Sequence, residues 1–207
     1  MANRIDGDLA VAGNLGVTGV LTANISRGSL ITETSQPVPV ALTGLRVWDA
    51  FATSLGSAGN DDLGITAGTW GTGVPYIVSR DLNALGAVTG YARFLVQLPH
   101  EYVAGQLVSL NVAAGMITAV ASVSATVDFE VYKHGGSNLV SGSDLVTTSA
   151  TSINSTTFTE YAFVVTPTTL SPGNVLDVRM AIAANSATGS SHFAAVARIE
   201  LLATCRG

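Results

Sequence analysis

The side chains with the widest chemical repertoire in this chain are its three histidines and its single cysteine. His100, His134 and His192 lie far apart in the sequence, and no pair of them has the spacing of metal ligands. We therefore predict solvent-exposed loop histidines. Cys205 stands in the tail Ala-Thr-Cys-Arg-Gly, and a thiol nucleophile needs a neighbouring base that the sequence does not place. We predict a residue near the terminus with no chemical role, and an intrachain disulfide is excluded.

Carboxylates offer two further kinds of site. Asp61-Asp62 follows Gly59-Asn60, and oxygen ligands clustered in a loop can bind calcium, but the spacing of an EF-hand is absent. A polar turn is the preferred interpretation, and calcium is left open. Glycoside cleavage needs two carboxylates at a defined separation in space, which the sequence does not show for the candidates Glu101, Glu130 and Glu160. We predict no enzyme activity, no catalytic residue, no metal site and no cofactor.

Aromatic side chains are the remaining candidates for contact with a ligand. Trp48, Trp70, Tyr76 and Tyr91 could form a platform on which a sugar ring stacks. Trp48 lies in an apolar run that predicts a strand, so we expect it in the core. Trp70 lies in a glycine-rich loop and is the predicted ligand-contact residue.

Composition narrows the class of protein. The chain has 207 residues and a net charge of -5, with 47% hydrophobic but only 11% charged residues. Ordinary soluble domains carry about 25% charged residues, and disordered chains carry more charge and fewer apolar residues. Nine lysines and arginines are outnumbered by fourteen acidic residues, which argues against a nucleic-acid partner.

The longest uncharged run raises the question of a membrane span. It lies between Glu101 and Asp128 and is long enough to cross a bilayer. From Ile117 onward, however, apolar and polar residues alternate as far as Val131, which is typical of a half-buried strand. We predict no transmembrane helix, and the opening residues MANRIDGD show no apolar core of a secretory signal.

A short repeat occupies residues 7–24, which divide into three hexapeptides with the pattern G-x-L-x-V-x, although Ala23 takes the place of valine in the third. Apolar residues two apart share one face of an extended segment. That face consists of Ile5, Leu9, Val11, Leu15, Val17 and Leu21. An arm of this length cannot bury such a face by itself, so either its own domain or equivalent arms cover it. The regular period favours identical chains packed together, while a leader with chance periodicity and a short β-helix are the alternatives.

The run IDGDLAVAGNLGVTGVLTA resembles the G-N-L-x-V-x-G repeats of bacteriophage tail fibres, head fibres and other virion appendages. In that family such repeats wind three chains into an intertwined β-structure. The resemblance implies that residues 1–39 form an oligomerising or anchoring arm and a connector. Gln36 to Pro39 are the extended connector, because each proline restricts itself and the residue before it.

Residues 40–207 contain a series of short β-like runs separated by turns rich in glycine, proline, serine and asparagine. Eight to ten strands without a long helix predict an all-β jelly-roll sandwich. Runs assigned to strands include 45–51, 91–98, 117–132 and 192–202, and 144–150 is either a strand or a covering loop. The block resembles jelly-roll domains of phage capsid decoration and appendage proteins, through Leu98-Pro99, the turn 171–174 and the strand 176–182.

Together the two resemblances imply a structural virion protein. The expected role is a homotrimeric decoration or cement protein that binds the capsid exterior, with the major capsid protein or another virion protein as its partner. The alternative is a receptor-binding fibre tip or lectin-like module whose 56–73 loop, with Trp70, contacts a glycan. Neither nucleic acid nor a membrane is an expected partner. The virion surface that is bound and the copy number are left open.

Overall fold

The computed structural model describes residues 33–66, 68–81, 86–118, 123–135, 140–189 and 191–206. The arm positions Ile5 to Leu21 lie outside these ranges, so the predicted repeat arm is not described. The chain divides into two units, residues 1–31 and 32–207, and the strands of the described residues lie in the second unit. Among the described residues, no helix has the length and apolarity needed to cross a bilayer.

The second unit is a sandwich of two antiparallel sheets, as the all-β jelly-roll prediction required. Its strands in the described residues are β1 (Glu33–Val40), β2 (Gly64–Thr66), β3 (Tyr76–Val78), β4 (Gly86–Gln97), β5 (Val108–Met116), β6 (Val123–His134), β7 (Val140–Ser141), β8 (Thr151–Ser152), β9 (Thr159–Val165), β10 (Val175–Ser186) and β11 (Ala194–Arg206). A six-stranded sheet has the order β2-β3-β11-β5-β9, with β1 also paired to β11. A five-stranded sheet has the order β4-β10-β6-β7, with β8 also paired to β6.

Alternating apolar residues build the core between the sheets. On β6, Val127, Phe129 and Val131 are buried, as their period of two predicts. Phe129 meets Phe163 of the opposite sheet with ring centroids 4.9 Å apart in an edge contact, an arrangement that aromatic pairs favour. Ile117, which we predicted on the same apolar face, is instead 44% exposed, because β5 ends at Met116 and the chain turns there.

Residues 33–39 differ from the predicted connector, since they form most of a strand. β1 pairs antiparallel with β11 from Glu33 to Val40. Pro37 and Pro39 fit there because β1 pairs with only one of the described strands, so every second N–H points away from that partner and its loss breaks no bond of that ladder. The prolines fix an extended backbone, as predicted, but that backbone is the edge of the sandwich.

The last strand is longer than predicted. β11 runs to Arg206 and not to residue 202, and Cys205 is fully buried within it. We predicted that Cys205 lies in a tail after the last strand, but its thiol is part of the core. Burial raises the pKa of the Cys205 thiol above its ordinary value of 9.0, and Glu101 adds to the shift.

Residues 144–150 and 171–174 form a loop and a turn at the ends of strands. Residues 144–150 form a covering loop, joined to β9 by an isolated bridge between Val146 and Val165 and by a hydrogen bond from Val164 N–H to Thr148 Oγ1. The turn at 171–174 closes with Asn174 N–H donating to the Ser171 carbonyl, and Leu98 N–H donates to the Asn174 carbonyl. That pair of bonds ties the end of β4 to the start of β10.

Candidate ligand-binding cleft

The outer face of the five-stranded sheet carries a square array of nine side chains. Strands β4, β10 and β6 lie side by side in register, and every second residue points away from the core. The three rows are Tyr91–Ala181–Asp128, Arg93–Arg179–Glu130 and Leu95–Asp177–Tyr132. Five of the nine are charged residues, and the four in the two lower rows form two pairs of opposite sign, in a chain that is only 11% charged. Charged side chains of both signs are thus brought together on this face.

The segment 45–62 lies along the free edge of β4 and brings aromatic residues to the array. Arg46 and Arg93 exchange backbone hydrogen bonds of 2.9 and 3.0 Å, and Tyr91 N–H donates to the Asp61 carbonyl at 2.7 Å. Between these anchors the chain turns instead of forming the predicted strand over 45–51. Trp48 is therefore half-buried over the outer face and is not in the core, contrary to our expectation.

Two glycines allow this segment to pack closely. A Cβ on Gly64 would lie 2.2 Å from the Ala58 nitrogen, and one on Gly90 would lie 3.0 Å from Leu63 Cδ2. The segment approaches β2 and β4 at distances that a larger residue would not allow. These contacts lie on the C-terminal side of Trp48, and the backbone hydrogen bonds of Arg46 with Arg93 anchor the N-terminal side.

Arg93 and Asp177 form the more buried ion pair of the array. Arg93 Nε donates to Asp177 Oδ1 at 2.7 Å, and Arg93 Nη2 donates to Oδ2. The Arg93 guanidinium also lies 5.1 Å from the centroid of the Phe51 ring. The hydrogen bond to Asp177 raises the pKa of Arg93 against the opposing effect of burial. This bidentate geometry fixes the guanidinium plane.

Arg179 joins the second carboxylate to the aromatic rings. Its Nη2 lies 2.6 Å from Glu130 Oε1, and its guanidinium carbon lies 5.3 Å from the Trp48 ring centroid and 4.8 Å from that of Tyr91. The two rings are 5.3 Å apart and inclined by 52°. Trp48 Nε1 donates to Asp61 Oδ2 at 3.3 Å. Cation–π contacts and one hydrogen bond therefore orient both rings.

Asp128 lies at the top of the same face. Its pKa is raised above the ordinary value of 3.8, first by burial and then by repulsion from Asp144 and Glu130, against the opposing effect of the hydrogen bond that Phe129 N–H donates to it. Its acidity is set by its surroundings on the sheet and not by a cationic partner.

The two ion pairs and the Trp48 ring border a cleft of about 390 Å³. That volume lies within the usual size range of small-molecule sites. We call it the Trp48 cleft, and it is lined by Trp48, Asp49, Arg93, Glu130, Tyr132, Asp177 and Arg179. Two guanidinium groups face three carboxylates, so donors and acceptors alternate with little net charge. The cleft can hydrogen-bond a ligand rich in hydroxyl groups and can contact its apolar face with aromatic rings.

The four predicted aromatic residues are thus divided among three places. Trp48 lines the cleft, and Tyr91 packs against the Trp48 ring without lining the cleft itself. Tyr76 packs on Phe158, with ring centroids 5.4 Å apart. Trp70 lies in the loop between β2 and β3, where it is 100% exposed and lines a different concavity.

The predicted acidic candidates are not brought together as a metal or catalytic group. Asp61 Oδ1 accepts from Asn60 at 3.2 Å while Oδ2 accepts from Trp48. The pKa of Asp62 is raised by burial, by Asp61 and by Asp49. Glu130 and Glu160 lie on different sheets. Within the described ranges, no three or more His, Cys, Asp or Glu side chains are placed to hold a metal ion.

His192 corrects the expectation of three exposed loop histidines. It is 5% exposed, and neither ring nitrogen has a hydrogen-bond partner among the described residues. The neighbouring backbone explains the burial, because Asp81 accepts hydrogen bonds from His192 N–H at 3.1 Å and from Ser191 Oγ at 2.8 Å. His100 and His134 are exposed, as predicted.

Sequence analysis missed Arg93, Asp177 and Arg179 as site residues. A signal was present, because the alternation along 176–182 places Asp177 and Arg179 on the outer face of a strand. What the sequence lacked was the strand order that sets β4, β10 and β6 side by side.

No family model and no curated protein matches this chain. Three solved structures resemble it at low identity. The xylan-binding CBM22-1 domain of Paenibacillus barcinonensis Xyn10C matches at 10% identity and a TM-score of 0.38, covering 88% of this chain and 92% of that one. A family 30 carbohydrate-binding module of a Clostridium thermocellum cellulosomal cellulase matches at 11% identity and a TM-score of 0.39, covering 80% of this chain and 96% of that one. A structure from a study of β-sandwich carbohydrate-binding modules matches at 13% identity and a TM-score of 0.33, covering 86% of this chain and 60% of that one. Similarity at this level concerns the β-sandwich fold alone.

Proposed function

We propose that the sandwich is a carbohydrate-binding domain that takes an uncharged saccharide into the Trp48 cleft. The observation that carries the proposal is the array of paired charges beside two oriented aromatic rings on one sheet face. Such a surface combines directional hydrogen bonding with apolar contact, which is what a sugar ring with its hydroxyls and C–H faces requires.

The paired arginines and carboxylates still have hydrogen-bond donors and acceptors that their partners do not use. A guanidinium has five N–H donors, and the bidentate contact with Asp177 uses two of those of Arg93. Arg93 is 37% exposed and Glu130 is 39% exposed, so both can reach a ligand while they remain paired. Because the partners already fix these side chains, binding costs less side-chain entropy than it would for free ones.

The charge balance selects the class of saccharide. Asp49, Glu130 and Asp177 offset Arg93 and Arg179 with one negative charge in excess. A sulfated or uronic-acid chain would bring further negative charge to a cleft that already has a negative excess, and we expect it to bind less well than a neutral chain. A neutral glycan finds acceptors and donors without that cost.

Binding of soluble polysaccharides tests the proposal directly. We would measure affinity by calorimetry and by retardation in gels that contain xylan, β-glucan, galactomannan, dextran or alginate. Wild type should bind at least one neutral member and not alginate. Trp48→Ala and Arg179→Met should each weaken that binding at least tenfold, as loss of a central contact does.

Arg198→Gln is the matched control, because it removes an exposed arginine–glutamate pair on the other sheet, where Arg198 Nη2 lies 2.5 Å from Glu160. It should bind as wild type does. Failure of wild type to bind any neutral polysaccharide, or unchanged binding by both cleft variants, would refute the proposal.

A second candidate function rests on the repeat in residues 7–24, whose period favours several identical chains packed together and whose resemblance to virion repeats implies three. We propose a homotrimeric virion protein, either a decoration protein on the capsid exterior or a fibre tip that displays three clefts. Native mass spectrometry of the full chain should give a trimer, and Leu15→Asp should dissociate it, because a buried charge is costly. Co-sedimentation with empty capsids would favour decoration. A monomeric wild-type chain would contradict the candidate.

A further inference from the structure

The loop that joins β2 to β3 presents the most exposed large side chain among the described residues. Trp70 is 100% exposed, and Val74 in the same loop is 54% exposed. A tryptophan carries one of the largest apolar surfaces of any side chain, and leaving it in water forgoes the stabilisation that burial would give. The position therefore calls for a partner outside the sandwich.

The backbone of this loop is compact. Thr72 N–H and Gly73 N–H both donate to the Thr69 carbonyl, at 3.0 and 2.7 Å. A Cβ on Gly68 would lie 2.9 Å from the carbonyl carbon of Gly73, and Gly68 has a φ of +65°, which favours glycine. The fold thus specifies a tight turn with the indole outside it.

The loop also forms a concave surface of its own, with a volume of about 760 Å³. We call it the Trp70 loop surface, and it is lined by Gly68, Trp70, Gly71, Thr72, Gly73, Val74 and Pro75. None of these residues lines the Trp48 cleft. The two concavities can therefore be altered independently.

The charge of the loop indicates what kind of partner the exposed Trp70 contacts. No charged residue or histidine occurs from Thr66 to Tyr76. Membrane-binding surfaces pair their aromatics with lysine or arginine, and neither is present in this loop. An indole beside threonine hydroxyls and peptide groups matches an uncharged ligand that has both hydroxyls and apolar ring faces.

We infer that Trp70 is a second contact for the same neutral polysaccharide, separate from the Trp48 cleft; this inference rests on the proposed function. A chain long enough to reach from the cleft to the loop would engage both places, whereas a short oligosaccharide would occupy the cleft alone. The second contact then raises the effective concentration of the chain without changing the cleft. The domain would therefore prefer polymers to their fragments.

The experiment uses the full chain and two lengths of one glycan: the neutral polysaccharide that wild type binds, and its tetrasaccharide. Trp70→Ala should weaken binding of the polymer about tenfold and leave tetrasaccharide affinity within about twofold. Trp48→Ala should weaken both. Arg198→Gln, at a position that lines neither the Trp48 cleft nor the Trp70 loop surface, is the control for general disturbance and should resemble wild type.

Fluorescence reports each site separately, because the chain has only two tryptophans. In Trp48→Phe, emission from Trp70 should be quenched readily by acrylamide, and the polymer should protect it while the tetrasaccharide does not. Full affinity of Trp70→Ala for the polymer, together with loss in Trp48→Ala, would overturn the inference and leave the proposed function standing. Protection of Trp70 by phosphatidylcholine vesicles or by raised protein concentration, but not by polymer, would also overturn it.

Discussion

Arg93 on β4 and Asp177 on β10 lie diagonally across neighbouring strands, and the guanidinium holds both oxygens of the carboxylate. The pair is unequal in exposure, because the side chain of Asp177 is 8% exposed and that of Arg93 is 37% exposed. Loss of the arginine would leave a nearly buried carboxylate, whereas loss of the carboxylate leaves a cation that water can reach. The two single substitutions should therefore differ.

We expect Arg93→Met to lower the free energy of unfolding by about 2 kcal/mol and Asp177→Asn by about 1 kcal/mol. The double variant Arg93→Met/Asp177→Leu should be more stable than Arg93→Met alone, since apolar residues often replace a buried pair at little cost. Urea unfolding at pH 7 measures all three. Equal losses for both single variants would show that the burial difference has no energetic effect.

Gly64 should tolerate no side chain. A Cβ there would lie 2.2 Å from the Ala58 nitrogen, and because backbone cannot move aside cheaply, Gly64→Ala should destabilise by more than about 3 kcal/mol. Gly56→Ala is the control, with nothing within 4 Å of the added carbon, and should change stability by less than about 1 kcal/mol. Thermal melting of both compares them. Similar melting temperatures would contradict the close approach of segment 45–62 to β2.

The Cys205 thiol should be protected in the folded protein. It is fully buried, and burial raises its pKa, so both access and thiolate fraction are reduced. At pH 8 a disulfide reagent such as DTNB should label the native chain slowly and the urea-unfolded chain with one equivalent. Rapid native labelling would show that the end of β11 opens readily.

Asp128 should make stability depend on pH. Its folded-state pKa is raised above 3.8, chiefly by burial, so the folded state holds the proton more tightly than the unfolded state. The resulting penalty is absent below the unfolded pKa and grows as pH rises through the folded pKa. Asp128→Asn, which keeps an acceptor for Phe129 N–H, should melt above wild type at pH 7 and level with it at pH 3. A variant that melts below wild type at pH 7 would show that the ionised carboxylate stabilises the fold.

The sequence by itself determined the fold class and most of the strands. Alternation of apolar and polar residues along β6 and β10 assigns Phe129 and Met180 to the core without reference to any other strand, because side chains of a strand alternate between its faces. It also placed Asp177 and Arg179 on the outer face. Trp70 was identified from its glycine-rich surroundings, which is a local property.

Strand order and the path of the segment 45–62 could be decided only by the tertiary structure. Arg93 and Asp177 are 84 residues apart, and no local pattern shows that β4 pairs with β10. Trp48 was assigned to the core because its neighbours are apolar, but close approaches at Gly64 and Gly90 hold that segment over the outer face instead. A single sequence shows which face of a strand a residue occupies, because that depends on adjacent residues; which side chains meet depends on contacts between distant segments.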